Sequence, residues 1–244
     1  RNVINKGLTE DDILNGAGQA FEGGWTKVKL YFMLGLPTET QEDMEGIAVL
    51  ADKVARRYYE IPKDQRNGKC QITASSSFFV PKPFSPLQWA TMQPMEEYIR
   101  RAGIVQEAFR NQLNRKSLRY NWHTAEVTVL EGVFARGDRK VGKVLEEAYR
   151  LGCIYDAWDE YFDYDKWLQA FENTGVDMDF YNLRKRELDE IFPWDFIDTG
   201  VSRKFLRKEW ERAMNAEVTP NCREHCSGCG ASKFGGGVCY EGKN

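Results

Sequence analysis

Four of the six cysteines fall within the last 23 residues, at a spacing that suits metal ligation. Cys222, Cys226 and Cys229 are set as Cys-x3-Cys-x2-Cys, Cys239 follows ten residues on, and His225 lies in the first gap. Four thiolates this close in sequence can meet on one ion, because Gly228, Gly230 and Gly235 to Gly237 let the backbone wrap tightly. Such a set suits tetrahedral zinc or an iron–sulfur cluster equally well. Other residues could act singly. His123 is one of two histidines and closes an apolar-polar alternating stretch; it reads either as a proton-transfer group or as a hydrogen-bonded structural residue. Thr73, Ser75 and Ser77 recur at period two, which puts hydroxyls along one face of a strand, toward a polar cavity or toward solvent. Lys82, between Pro81 and Pro83, is a cation on a stiff backbone, available to an anionic substrate or to water.

The elements that must hold these groups centre on Lys27 to Thr40, KVKLYFMLGLPTET. Val28, Leu30, Phe32 and Leu34 alternate with Lys29, Tyr31 and Met33, so the run is apolar on nearly both faces and predicts a central strand. It stops at Gly35-Leu36-Pro37. Thr40, with Asp43 three residues later, then predicts a helix over 41–60. Residues 70–79, CQITASSSFF, predict the next strand, ending in the Pro-rich segment Val80 to Pro86. Upstream, Thr9 and Asp12 open another helix, which Gly23-Gly24 closes. Crossovers of helical length make the two strands parallel, and both Gly/Pro loops then land on one rim, where α/β sheets place ligands. Gly35 there permits a close backbone approach to a ligand, and Pro37 fixes the turn.

Downstream, a long helix over 95–113 precedes a last strand over 116–122, which His123 follows. Helices are then expected over 125–134, 140–151, 177–191 and 202–216. Between the first two lies Arg136-Gly137-Asp138-Arg139. Gly137 is expected to end one helix in a left-handed turn, and Asp138 to cap the next. Residues 155–171, YDAWDEYFDYDKWLQAF, are dense in aromatics and acids; the acids would repel phosphates, so the stretch reads as packing with solvated carboxylates.

A formal charge of -3 does not advertise a nucleic-acid surface, and nucleic acid is not indicated as a partner. No apolar run approaches the roughly 20 residues that cross a bilayer, and no secretory segment is visible. Cysteines crowded at one end are not a disulfide framework, so a reducing, cytoplasmic setting without a membrane partner is expected.

Taken together, VINKGLTEDDIL, KLYFMLGLPTET, FVPKPFSPLQW, NWH, ARGDR and the Cys-rich terminus resemble the radical S-adenosylmethionine enzymes, and within them the cobalamin-binding subfamily of unassigned substrate. The resemblance covers nearly the whole chain. It implies a Gly-x-Pro-x-Glu turn beside the adenosine of the cofactor, carried here by Gly35, Pro37 and Glu39 with Met33 alongside. Read without the family, Glu39 would only favour the N-terminus of the following helix through its dipole. The resemblance also implies a catalytic [4Fe–4S] cluster held by Cys-x3-Cys-x2-Cys after a first strand. No cysteine precedes Cys70, so the expectation is a carboxyl-side part of a longer protein whose missing N-terminal half supplies that cluster and a cobalamin domain. The terminal cysteines would then hold zinc or an auxiliary cluster.

The resulting expectation is an α/β chain with a partial, second-half TIM-like radical enzyme barrel over 1–123, a mainly helical region over 124–216 and a Cys-rich metal-binding tail over 217–244. Met33, Gly35, Pro37 and Glu39 would face the cofactor, Ser75, Ser77 and Lys82 an unknown substrate, and His123 is the catalytic candidate. The chain alone is expected to be inactive. The alternative from another class is a non-catalytic, metal-stabilised module binding RNA or protein.

Overall fold

The computed structural model describes residues 1–235, so Cys239 lies outside the described residues. The chain divides into two compact units, one made of 1–79, 94–125 and 212–218, the other of 80–93, 126–211 and 219 onward.

The first unit contains α1 (Glu10–Glu22), β1 (Lys27–Leu34), α2 (Gln41–Glu60), β2 (Gln71–Phe78), α3 (Met95–Arg110) and β3 (Leu118–Trp122). Both expected helix starts close as capping boxes. Thr9 and Asp12 exchange side-chain and backbone hydrogen bonds, as do Thr40 and Asp43. The three strands are parallel in the order β1-β2-β3, with Tyr31 opposite Ser75 and Ser75 opposite Asn121. Crossovers between parallel strands are right-handed as a rule, and two that step the same way deliver their helices to the same face. That face is the core: Ile72, Ala74, Ser76 and Phe78 of β2 are buried together with Leu34, Leu118 and the apolar stripe of α2.

Two expectations fall here. The partial TIM-like barrel is not the fold: the described residues form an open three-stranded parallel sheet with free edges at β1 and β3. Strand, Gly/Pro loop and helix repeat in open and closed α/β architectures alike, so the pattern carries no closure information; closure needs strand number and shear that three strands do not supply. Nor is β1 central. It is an edge strand, and β2 is the one flanked on both sides. Tyr31 is 73 % exposed and Met33 39 %, with the Lys29 ammonium 4.9 Å from the Tyr31 ring centroid. The apolar residues on that face line an uncovered surface, which periodicity cannot distinguish from a buried one.

The second unit is helical, with α4 (Ala125–Arg136, whose first residue belongs to the first unit), α5 (Val141–Arg150), α6 (Tyr164–Thr174), α7 (Met178–Asn182) and α8 (Arg203–Met214, whose last turn belongs to the first unit). Val133, Val144, Ala148, Trp167 and Phe171 lie at its core. The helix expected over 177–191 shortens to five residues: Asp177 caps it, and past Asn182 the chain turns so that Arg184 can pair with Glu190. Gly137 is not left-handed. It is needed because a Cβ there would meet the Val133 carbonyl oxygen and Val141 Cγ2, both at 2.6 Å. Asp138 does not cap α5 as a helix N-cap; its Oδ1 accepts the Lys140 N–H at 2.8 Å and the Tyr181 hydroxyl at 3.0 Å. Burial of that phenol pushes its pKa to about 12. Arg136 is 1 % exposed and packs internally, whereas Arg139 is exposed. Among the described residues no helix is long and apolar enough to cross a membrane.

Candidate functional site

All three strands of the first unit end at one edge of the sheet, because they are parallel and in register. At that edge β1 gives way to a turn with two left-handed residues, Gly35 at φ 87° and Thr38 at φ 65°. Glycine takes this conformation freely, whereas a β-branched threonine is strained in it. The turn is held by Glu39. Its Oε2 accepts the Gly35 N–H at 2.9 Å, and its Oε1 accepts from the Arg101 guanidinium of α3 at 2.7 Å. Arg101 also donates to Glu97 at 2.7 Å, and both members of the Glu39–Arg101 pair are largely buried. Burial raises the Glu39 pKa, and Arg101 with the Gly35 and Leu36 N–H groups opposes that shift.

Beside this turn lies a cavity of about 640 Å³ within the first unit, in the size range of small-molecule sites. Phe32, Met33, Leu36, Pro37 and Met44 supply apolar wall, and Glu39 lines it as well. Three of the four residues expected to face a cofactor, Met33, Pro37 and Glu39, thus share one cavity, and Gly35 lies in the turn that shapes it. The Glu39 carboxylate is already committed on both oxygens, so its part there is to fix the turn. Arg101 is the residue missed from sequence. The only trace was the Glu97–Arg101 spacing of four on a helix, which many solvated pairs share.

The hydroxyl-bearing face of β2 is the uncovered one. Ser75 is buried between its neighbours, while Ser77 is half-buried and donates to the Phe32 carbonyl at 3.4 Å. His123 is exposed just past β3, its backbone N–H bonded to the Ser76 carbonyl at 3.0 Å. It is not among the cavity's lining residues. On the helix-covered side, burial pushes the Tyr120 phenol to about 12, with the Ser76 hydroxyl opposing and the Glu39 charge adding to the rise. Lys82 belongs to the second unit, where it pairs with Glu131 of α4.

Cys222, Cys226 and Cys229 also belong to the second unit. Among the described residues no three of His, Cys, Asp and Glu are gathered so as to hold a metal. Cys222 and Cys226 are exposed, and Cys229 is half-buried in a turn with its own support. The Ala231 N–H points to Cys229 Sγ at 3.4 Å, the Cys229 carbonyl accepts the Ser202 N–H at 2.9 Å, and Lys233 pairs with Asp198. Gly228 and Gly230 take φ 69° and 96°. That contact orients the Cys229 sulfur within its turn, but no other described cysteine converges on it. Cys70 and Cys153 are different: burial raises both thiol pKa values, Cys70 to about 11, which leaves them inert.

No family model matches the chain, and no solved structure matches it. Over 176 residues it is 30 % identical to an uncharacterized protein of Methanocaldococcus jannaschii; the match covers 72 % of this chain and 36 % of that protein, so the chain spans well under half the length of the curated relative it matches.

Proposed function

We propose that the chain is the carboxyl-side part of a radical S-adenosylmethionine enzyme, and that the cavity beside Gly35-Leu36-Pro37 receives the adenosyl portion of that cofactor. The observation that carries this reading is the convergence of Met33, Pro37 and the Glu39-clamped turn on one cavity at the carboxyl edge of a parallel sheet. Met33 and Pro37 offer a polarizable apolar wall suited to a purine, and Glu39 with Arg101 keeps the turn in the shape that leaves the cavity open. In the whole enzyme a [4Fe–4S] cluster would supply the one electron that cleaves S-adenosylmethionine to methionine and a 5′-deoxyadenosyl radical, or cobalamin would assist methyl transfer. In this reading a further N-terminal part of the protein would hold the cluster and the cobalamin. Ser75 and Ser77, on the uncovered sheet face, would meet the substrate, and His123 at the end of the third strand is the candidate for proton transfer.

The test is anaerobic reconstitution of the longer protein with iron and sulfide, followed by addition of S-adenosylmethionine and dithionite as reductant and assay for 5′-deoxyadenosine. Formation in the wild type and its loss in Leu36→Trp, which fills the cavity, is the expected result. A second reading, a metal-stabilised binding module, draws on the Cys229 turn with its N–H to sulfur bond. Tail-bound zinc together with no cofactor cleavage by the longer protein would favour it.

A further inference from the structure

A part of the second unit that the proposed chemistry does not use has a surface of its own. Between α5 and α6 the chain runs through a series of turns, with Trp158 N–H bonded to the Tyr155 carbonyl at 3.0 Å and Tyr161 N–H to the Trp158 carbonyl at 2.9 Å. The stretch is pinned from beneath. Cys153 is buried, Phe162 packs on the helical core, and Asp156 accepts the Trp167 indole N–H at 3.3 Å. Above these anchors Ile154, Tyr155, Trp158 and Tyr161 stand 57, 63, 60 and 60 % exposed. An anchored loop that presents large apolar side chains to water is the composition of a docking surface, because aromatic residues carry most interface energy.

Charge selects the partner. From 154 to 165 the chain carries Asp156, Asp159, Glu160, Asp163 and Asp165 and no basic residue. A cavity of about 490 Å³ is lined by Tyr155, Glu160, Tyr161, Asp163 and Asp165, and by Lys166, whose ammonium pairs with Asp163 at 3.6 Å, so three carboxylates face one cation there. The Tyr155 and Tyr161 rings stand 5.9 Å apart, inclined at 56°. Two inclined aromatic rings in a cavity with a net excess of carboxylates attract a cation twice over, through the ring quadrupole and through direct charge. Phosphate-bearing partners are repelled by the same groups. Ile154 and Trp158 are not among the cavity's lining residues, so the apolar surface extends beyond what a small amine would cover.

We infer that this surface docks an arginine- or lysine-bearing segment of a protein partner, with one cationic side chain in the Tyr155–Tyr161 cavity and apolar residues on Ile154 and Trp158. This goes beyond the cofactor reading and stands or falls separately from it. The test is fluorescence anisotropy of a short labelled peptide of alternating arginine and leucine titrated with the chain, with a glutamate-leucine peptide and spermine as controls. Saturable binding of the arginine peptide is expected, weakened by added salt and at least about tenfold by either Trp158→Ala or the double change Asp159→Asn with Glu160→Gln. All these side chains are exposed, and circular dichroism of each variant checks that the fold is kept. Absence of binding, equal affinity for the glutamate peptide, spermine displacing the peptide at matched concentration, or unchanged affinity in folded variants would overturn the inference.

Discussion

Glu39 and Gly35 are joined across four residues by a 2.9 Å hydrogen bond from the glycine N–H to the carboxylate Oε2, so the residue that follows the turn also closes it. The other oxygen of the same carboxylate reaches Arg101, 62 residues away. A loop at a sheet edge is thereby tied to its own start and to a helix that arrives much later in the chain.

Removing that carboxylate should cost stability as well as shape. Glu39→Ala leaves the Gly35 N–H without its acceptor and a largely buried Arg101 with Glu97 alone, and is expected to destabilise by about 2 kcal/mol. Glu39→Gln keeps an acceptor for Gly35 and should cost about half as much. Urea unfolding midpoints check the ranking; equal losses would mean that charge pairing alone matters.

The turn itself carries strain at Thr38. Thr38→Gly relieves a left-handed threonine and is expected to be neutral or stabilising by up to about 1 kcal/mol, whereas Gly35→Ala imposes the same cost where none existed and should destabilise by about 1 kcal/mol or more. Thermal melts of the two variants should therefore move in different directions, or only the second should move.

Acid should act on the helix partner of this site. Glu97 is held down at about 2, first by its hydrogen bond to Arg100, with Arg101 adding to the effect against burial. A carboxylate with a depressed folded pKa stabilises the fold above its unfolded value of about 4.3 and loses that contribution as pH falls toward 2. Glu39, raised by burial, has the opposite sign: it favours the fold in acid and weakens it as pH rises through its folded pKa. Glu97→Gln should flatten the loss of stability between pH 4 and 2 relative to wild type, as read from unfolding midpoints across that range.

Which of these features were legible in the sequence follows from how local they are. The capping boxes at Thr9 and Thr40, the parallel direction of β1 and β2, and the common edge of their loops depend on spacing and crossover length, and all were readable. Whether the sheet closes is set by strands and tilt beyond the pattern, and Tyr31 and Met33 look the same in sequence whether covered or bare. The Arg101 contact and the outward turn of Tyr155, Trp158 and Tyr161 arise from tertiary placement; composition reveals such residues without telling which way they face.

The turn around Cys229 offers a separate check. A Cβ on Gly230 would lie 2.7 Å from the Gly200 carbonyl oxygen, and its φ of 96° already disfavours a side chain. Gly230→Ala should release residues 228–234 from the Asp198–Ser202 segment and expose them to limited proteolysis, with the first unit's core uncut. If this turn supports a ligand, bound zinc or iron measured by plasma emission should fall in the same variant.

The cofactor assignment rests on the cavity beside Gly35-Leu36-Pro37. Ultraviolet crosslinking of radiolabelled S-adenosylmethionine to the longer protein, with peptide mapping, tests it most directly. A label on the 33–44 stretch that unlabelled cofactor competes away, and that Leu36→Trp abolishes, is the predicted result. Specific labelling confined to another part of the protein, or labelling of 33–44 that Leu36→Trp leaves intact, would contradict it.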